Sequence, residues 1–346
     1  MKLAIFDIPV VLVGMPIILV LSAACGGQGA PTIPNKPGRV VATLPAYVSD
    51  LRSDGVQLWA ALEDGSVWSI QPGVSNPTQI VPAEPSGIVS FSSASLAIGS
   101  QEIYFNDYGG HIWALAKSGG SPRLLASGEQ SPSDLQTDGA TLWWDALYPL
   151  RIRSISTAGG TPSDVALITV PPYAMASEGL FVWQGTLPSS LQLMHLTFGG
   201  SPVDQVDSGF SPDDPMTAAN GTLFYGKFTG RNGQSICAGV GCVTQIESRP
   251  IAGGAVKDVA MLGDCNSSCA TADLLAVSGN DLFVAATFHY TVSGDPAHIP
   301  VVYRVPISGG TAELIATAAG GHLVRLTAVG NVPYWANANT ISTSQP

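Results

Sequence analysis

Seven short segments of this sequence can be laid over one another so that one column is aromatic in every copy: Trp59, Tyr104, Trp143, Phe181, Phe224, Phe283 and Tyr334. The residue before each is Leu58, Ile103, Leu142, Leu180, Leu223, Leu282 or Pro333, so six of the seven are aliphatic. Chance does not repeat a pattern seven times. The copies stand roughly 40 to 60 residues apart, a spacing that belongs to the four-stranded blades of a ring rather than to the shorter turns of a solenoid.

Each copy runs strand, turn with Gly, strand carrying the aromatic, loop, strand, Gly-Gly turn, strand. The Gly pairs stand at Gly119-Gly120, Gly159-Gly160, Gly199-Gly200, Gly253-Gly254 and Gly309-Gly310. A tight hairpin demands positive φ, which glycine reaches without strain. Gly 39 and Pro 26 spread through 346 residues, with only 11% charged residues, suit short strands and turns better than surface helices. The last copy ends after its third strand, near Thr340 to Thr343, while Gly38 to Thr43 has the character of an unattached fourth strand. The sequence therefore predicts an all-β fold: a seven-bladed β-propeller of four-stranded antiparallel blades, closed by an N-terminal strand that completes the last blade. Closure of this kind removes free sheet edges.

Ile103-Tyr104-Phe105-Asn106-Asp107, Leu142-Trp143-Trp144-Asp145 and Tyr334-Trp335-Ala336-Asn337 resemble the YWTD-type propeller repeat. The whole chain is similar to extracytoplasmic propeller lipoproteins of bacteria. The resemblance covers about residues 38 to 343 and implies a blade type, not a ligand.

The N-terminus reads as an address. Met1-Lys2 precedes an apolar run from Ile8 to Leu21, which Pro9 and Pro16 interrupt and which is short for a bilayer span of ~20 residues. Ser22-Ala23-Ala24-Cys25-Gly26 resembles the lipobox of bacterial lipoproteins, which implies a lipid on Cys25 and an outer-membrane or surface location, with the periplasm as second choice. Ordinary secretion and an uncleaved anchor are the alternatives. The expected organisation is a signal peptide over 1–24, a tether over 25–37 and the propeller over 38–346. In an oxidising compartment Cys237, Cys242, Cys265 and Cys269 are expected to form two disulfides, with three connectivities open; a zinc site is the weaker reading, because the spacing is wrong and no His adjoins.

A net charge of -11 with no Lys or Arg cluster argues against nucleic acid. Candidate sites fall in two places. The long segments Thr229–Val243, Gly263–Ala272 and Thr287–Pro300 of blades five and six should share one rim, where Phe288, His289, Tyr290, Asp295 and His298 are the expected partner-binding residues. Asp50, Asp134, Asp214 and Asp273 stand at or near the start of first strands and would converge at the channel mouth, where oxygen ligands suit Ca²⁺; the competing reading has each Asp bonded to its own turn, with no cofactor. His289, Asp295 and His298 also admit acid-base work, but no nucleophile or phosphate motif accompanies them. The expectation is a monomeric, non-catalytic binding or scaffold propeller for a protein, peptide or glycan; the rival is a lyase or hydrolase at the channel mouth.

Overall fold

The computed structural model describes residues 35–344 except 75, 84–93, 186–190, 211–213, 230–242, 263–268, 293–294 and 319–322. A first strand, β1 (Arg39–Thr43), precedes six complete blades. Blade one holds β2 (Val48–Ser53), β3 (Leu58–Leu62), β4 (Val67–Ile70) and β5 (Thr78–Val81), and blade two β6 (Leu96–Ile98), β7 (Glu102–Asn106), β8 (Ile112–Ala116) and β9 (Arg123–Ala126). Blade three holds β10 (Ser133–Thr137), β11 (Thr141–Ala146), β12 (Arg151–Ser156) and β13 (Ser163–Leu167), and blade four β14 (Val170–Ala176), β15 (Gly179–Gln184), β16 (Leu191–Leu196) and β17 (Pro202–Phe210). Blade five follows with β18 (Met216–Ala219), β19 (Thr222–Thr229), β20 (Val243–Pro250) and β21 (Lys257–Leu262), and blade six with β22 (Cys269–Ser278), β23 (Asp281–Val292), β24 (Asp295–Pro306) and β25 (Glu313–Thr317). Blade seven has β26 (Arg325–Val329), β27 (Val332–Asn337) and β28 (Thr340–Thr343), and β1 pairs with β28 to supply its outer strand. The seven-bladed ring and its N-terminal closure are as the repeat predicts.

The aromatic column explains the period. All seven residues lie on second strands, and each packs forward onto the next blade. Trp59 meets Ile103 and Phe105, Tyr104 meets Leu142 and Trp144, and Trp143 meets Leu180 and Val182. Phe181 meets Leu223 and Tyr225, and Phe224 meets Leu282 and Val284. Phe283 meets Trp335, with Leu323 and Leu326 filling in beside Pro333. Tyr334 closes the circle against Leu58 and Ala60. Side chains alternate along a strand, so the residues flanking each aromatic face back while the aromatic faces forward. The core is thus seven interblade clusters, each of which brings one large ring from one blade against apolar second-strand side chains of the next.

The turns define two faces. Links between blades lie beside the turns joining second and third strands, as where the Glu129 N–H donates to the Gly110 carbonyl at 3.0 Å; this is the top face. The other two turns lie together at the bottom, as where the Lys117 N–H donates to the Gln101 carbonyl at 2.9 Å. In four of the five Gly-Gly turns both glycines have positive φ. Blade four keeps it only at Gly200, where an added Cβ would also lie 1.9 Å from the Val165 carbonyl oxygen of blade three.

Closure at the first strand is tight. Gly38 has no room for a side chain, since a Cβ there would stand 2.4 Å from the Trp335 ring. Just before it, the Thr317 N–H donates to the Lys36 carbonyl at 2.8 Å, and the Lys36 ammonium donates to the Leu314 carbonyl at 2.8 Å. The entering chain therefore binds blade six as well as completing blade seven.

Candidate functional site

The inner strands carry a buried polar network, and its centre is Asp50 on β2. Its carboxylate is inaccessible to solvent. It accepts from the Leu51 N–H at 2.9 Å, Arg52 Nε at 3.1 Å, the Leu96 N–H at 2.9 Å, the Ser95 hydroxyl at 3.3 Å and Arg325 Nε at 2.9 Å. Burial alone would push this carboxyl up; Arg52, Arg325 and the Leu96 N–H overcome it and hold it below the usual carboxylate range. Arg52 reaches on to Asp134 on β10 at 3.1 Å, and the Tyr173 hydroxyl of blade four donates to the Asp134 carbonyl at 2.9 Å. Gln136 donates to the Tyr173 carbonyl at 2.9 Å and accepts from the Met175 N–H at 3.0 Å. One network therefore crosses blades seven, one, two, three and four.

Of the four carboxylates expected at the channel mouth, the one at Asp50 is taken up by protein donors. Five donors already surround the two oxygens of Asp50, which offer about four lone-pair positions, so no acceptor capacity remains for Ca²⁺. Asp50 and Asp134 do meet, but through a guanidinium. Asp214 is buried beside the start of blade five, and Asp273 accepts from the Thr287 hydroxyl at 2.6 Å. Among the described residues no three His, Cys, Asp or Glu side chains are placed to hold an ion together. Beside the network Asp145, buried and bonded by the Ser133 hydroxyl at 2.6 Å, is pushed up to about 6 by burial and by the Asp134 charge. Sequence reasoning missed Arg52 and Arg325, which reach Asp134 and Asp50 in other blades, and the role of Asp145.

A second charged group occupies the seam between blades four and five. Lys227 pairs with Asp207 at 2.9 Å, and Arg249 pairs with Asp204. Glu247 is pushed up to about 7, by burial and by Asp207 against the opposing pull of Lys227. His195 is buried on β16 and stacks on Phe181 with ring centroids 4.6 Å apart. His111 bonds Asp107 through Nδ1 at 2.8 Å.

The top face is raised at blade six. Thr287 to Pro300 was expected to be a loop, and it is instead the upper half of a hairpin. β23 and β24 pair from Asp281↔Pro306 to Val292↔Asp295, twelve residue pairs against four to eight among the described residues of the equivalent hairpins in the other blades. β22 follows β23 up to Cys269↔His289, so the end of the blade five to six link is also strand. β25 joins β24 only from Val301 downward. The hairpin end is an arm standing above its neighbours.

The rim residues divide accordingly. Phe288, expected at the surface, is buried at 6% exposure in the cluster joining blades five and six, because its strand position faces that core. His289, Tyr290, Asp295 and His298 lie on the arm, with His289 opposite His298 and Tyr290 opposite Ala297; the structure describes their backbones only. Cys25, Cys237, Cys242 and Cys265 lie outside the described residues, and Cys269 begins β22. Thr244 links the two blades here, donating to the Ala270 carbonyl at 3.3 Å and accepting from the Ala272 N–H at 3.0 Å, beside the parallel pair Val243↔Ala270.

Neither a protein-family profile nor a curated protein matches this sequence. Solved structures do match its shape. YCF48 bound to D1 peptide aligns with a TM-score of 0.59 at 10% identity, over 92% of this chain and 98% of that one. The Cps50 (Swd1) β-propeller domain from Myceliophteria thermophila gives 0.57 at 10% identity, over 91% and 100%. BamB from Moraxella catarrhalis gives 0.51 at 14% identity, over 86% and 94%. At such identities the likeness establishes the fold: this chain is a β-propeller spanning nearly the full length of each of these structures.

Proposed function

We propose that this chain is an exported, lipid-tethered and non-catalytic propeller that holds a protein or peptide partner on its top face, with the blade-six arm as the principal contact. The arm carries the reading. A hairpin of twelve pairs on a disc whose other hairpins have four to eight among the described residues is an addition that ring closure does not require, and elements raised from a rigid scaffold are where binding residues concentrate. The buried network supports the non-catalytic part, since its acidic centre is saturated with donors and serves to lock strands. YCF48, a propeller of similar shape, was solved bound to a peptide, and propeller rims suit extended partners. Lipidation at Cys25, two disulfides bracing the rim and a YWTD-like blade type complete the proposal.

The test uses the full chain in its membrane. Photo-crosslinking residues placed along 289–298 are expected to capture one protein from several positions. That protein, purified, should bind the intact chain in calorimetry, and affinity should fall at least tenfold when the arm is shortened to the length of its neighbours. Equal affinity for the shortened chain overturns the reading. Turnover of a glycan or peptide substrate that survives arm shortening would favour an enzyme instead.

A further inference from the structure

The faces of the disc are not equivalent with respect to the chain's entrance. Outer strands run from the bottom face to the top, and β1 is the outer strand of blade seven, so the chain enters at the bottom. Lys36 and Pro37 there line a cleft of about 450 Å³ together with Asn331, in a bottom turn of blade seven, and Glu313, which begins β25 after the bottom Gly309-Gly310 turn. The point of entry is pinned: the Thr317 N–H donates to the Lys36 carbonyl, the Gly38 N–H donates to the Thr317 carbonyl at 3.3 Å, and Pro37 forms a parallel bridge with Thr317.

Cys25 precedes Lys36 by eleven residues. A chain of that length spans at most ~36–40 Å when fully extended. Blade strands of four to six residues span ~13–20 Å before the turns are added, and the arm adds further height on the top face. Turning the top face to a membrane would consume the whole extended length of the tether. Turning the bottom face to it needs only a part of that span. Shape agrees, because the bottom turns are short glycine hairpins whereas the top carries the arm.

We infer that the bottom face lies against a lipid surface and that the arm faces away from it, into the compartment the membrane borders. This orientation rests on the lipid at Cys25 proposed above. It makes the membrane the partner of one face and leaves the other free for a protein.

Two exposed positions report it: Val56, in the bottom turn between β2 and β3, and Tyr148, in the top turn between β11 and β12. Full-length Val56→p-azidophenylalanine and Tyr148→p-azidophenylalanine chains, each labelled with a donor dye, would be placed in phosphatidylcholine vesicles bearing a headgroup acceptor. Mass spectrometry of the same samples reads the modification of Cys25. With Cys25 lipidated, energy transfer from position 56 should exceed that from position 148 severalfold, and a long Gly-Ser insert after Gly27 should shrink the difference. Equal or greater transfer from position 148 on a lipidated chain overturns the orientation and leaves the lipoprotein reading standing. An unmodified Cys25 overturns the lipoprotein reading and the orientation with it.

Discussion

Blades seven through four and blades five and six solve the same problem differently. In the first arc the inner strands are locked by side chains, with Asp50 gripping Arg325, Arg52 and the N–H groups of two blades. In the second, the inner strand β18 is Met-Thr-Ala-Ala, and the blades are joined by a parallel backbone pair and by Thr244. Hairpins in the first arc have four to six pairs, whereas those of blades five and six have eight and twelve. The difference teaches that the Asp50 lock and the elongated hairpins occupy different parts of this ring. Where closure is secured the blades stay short, and the elaborated blades lie outside that polar lock.

The strongest way to break this contrast is to remove the lock. Asp50→Ala leaves Arg52 and Arg325 facing each other without their shared carboxylate, and losing one member of a buried ion pair costs about 3 to 5 kcal/mol. Chemical denaturation of the variant should show that loss. Arg304→Ala in blade six removes a half-exposed partner of Asp281 and should cost less than about 1 kcal/mol. Comparable losses would show that the two arcs are stabilised alike. The pH dependence has a definite sign: the folded Asp50 carboxyl lies below its ordinary 3.8, so its contribution is present above pH 3.8 and is lost as the pH falls through the folded value.

Asp145 works in the opposite direction within the same arc. Its carboxyl is pushed up to about 6 from 3.8, so between those values the folded state keeps a proton that the unfolded chain has released. Stability falls as the pH rises through that window. Asp145→Asn should therefore stabilise the protein at pH 8 by about 2 kcal/mol and do nothing at pH 3. In the other arc Glu247 is pushed from 4.5 to about 7, and its window is correspondingly higher. Being more open to solvent, Glu247→Gln should gain only about 1 kcal/mol at pH 8. Denaturation midpoints across pH 3 to 8 separate the two, and a gain at pH 8 from neither variant would remove the titrating carboxyls from the account.

What could be read from the sequence follows from what repeats. The aromatic column and the aliphatic residue before it recur because every interblade cluster makes the same demand, so Trp59 and Phe283 announce one geometry from different blades. Asp recurs near the start of several first strands, but the pairing of Asp50 does not. Its partner Arg325 lies 275 residues away, and nothing local marks either residue as half of a pair. The arm was hidden for another reason: Pro296, Pro300 and Ser293-Gly294 are strong loop signals, and they outweighed the alternation of Phe288, Tyr290 and Val292. Proline is excluded only from strands whose N–H groups are needed.

That last point gives the smallest effect on stability and the finest test of the contrast. The Ala318 N–H donates to the Pro300 carbonyl at 2.9 Å, so the backbone of residue 300 turns away from β23. Alternation places Pro296 and His298 on the same outward edge. Above Val301, where β25 no longer covers β24, this edge presents carbonyls and, at His298 alone, an N–H. An edge with a single donor is a poor template for another strand. Replacing both residues in a Pro296→Val, Pro300→Val chain restores the donors on an arm already paired to β23, so folding stability should change by no more than about 0.5 kcal/mol. Self-association should rise, as a concentration-dependent mass in sedimentation equilibrium. A variant that stays monomeric would mean that the prolines do not guard the edge, and a large loss of stability would mean that they instead shape the arm.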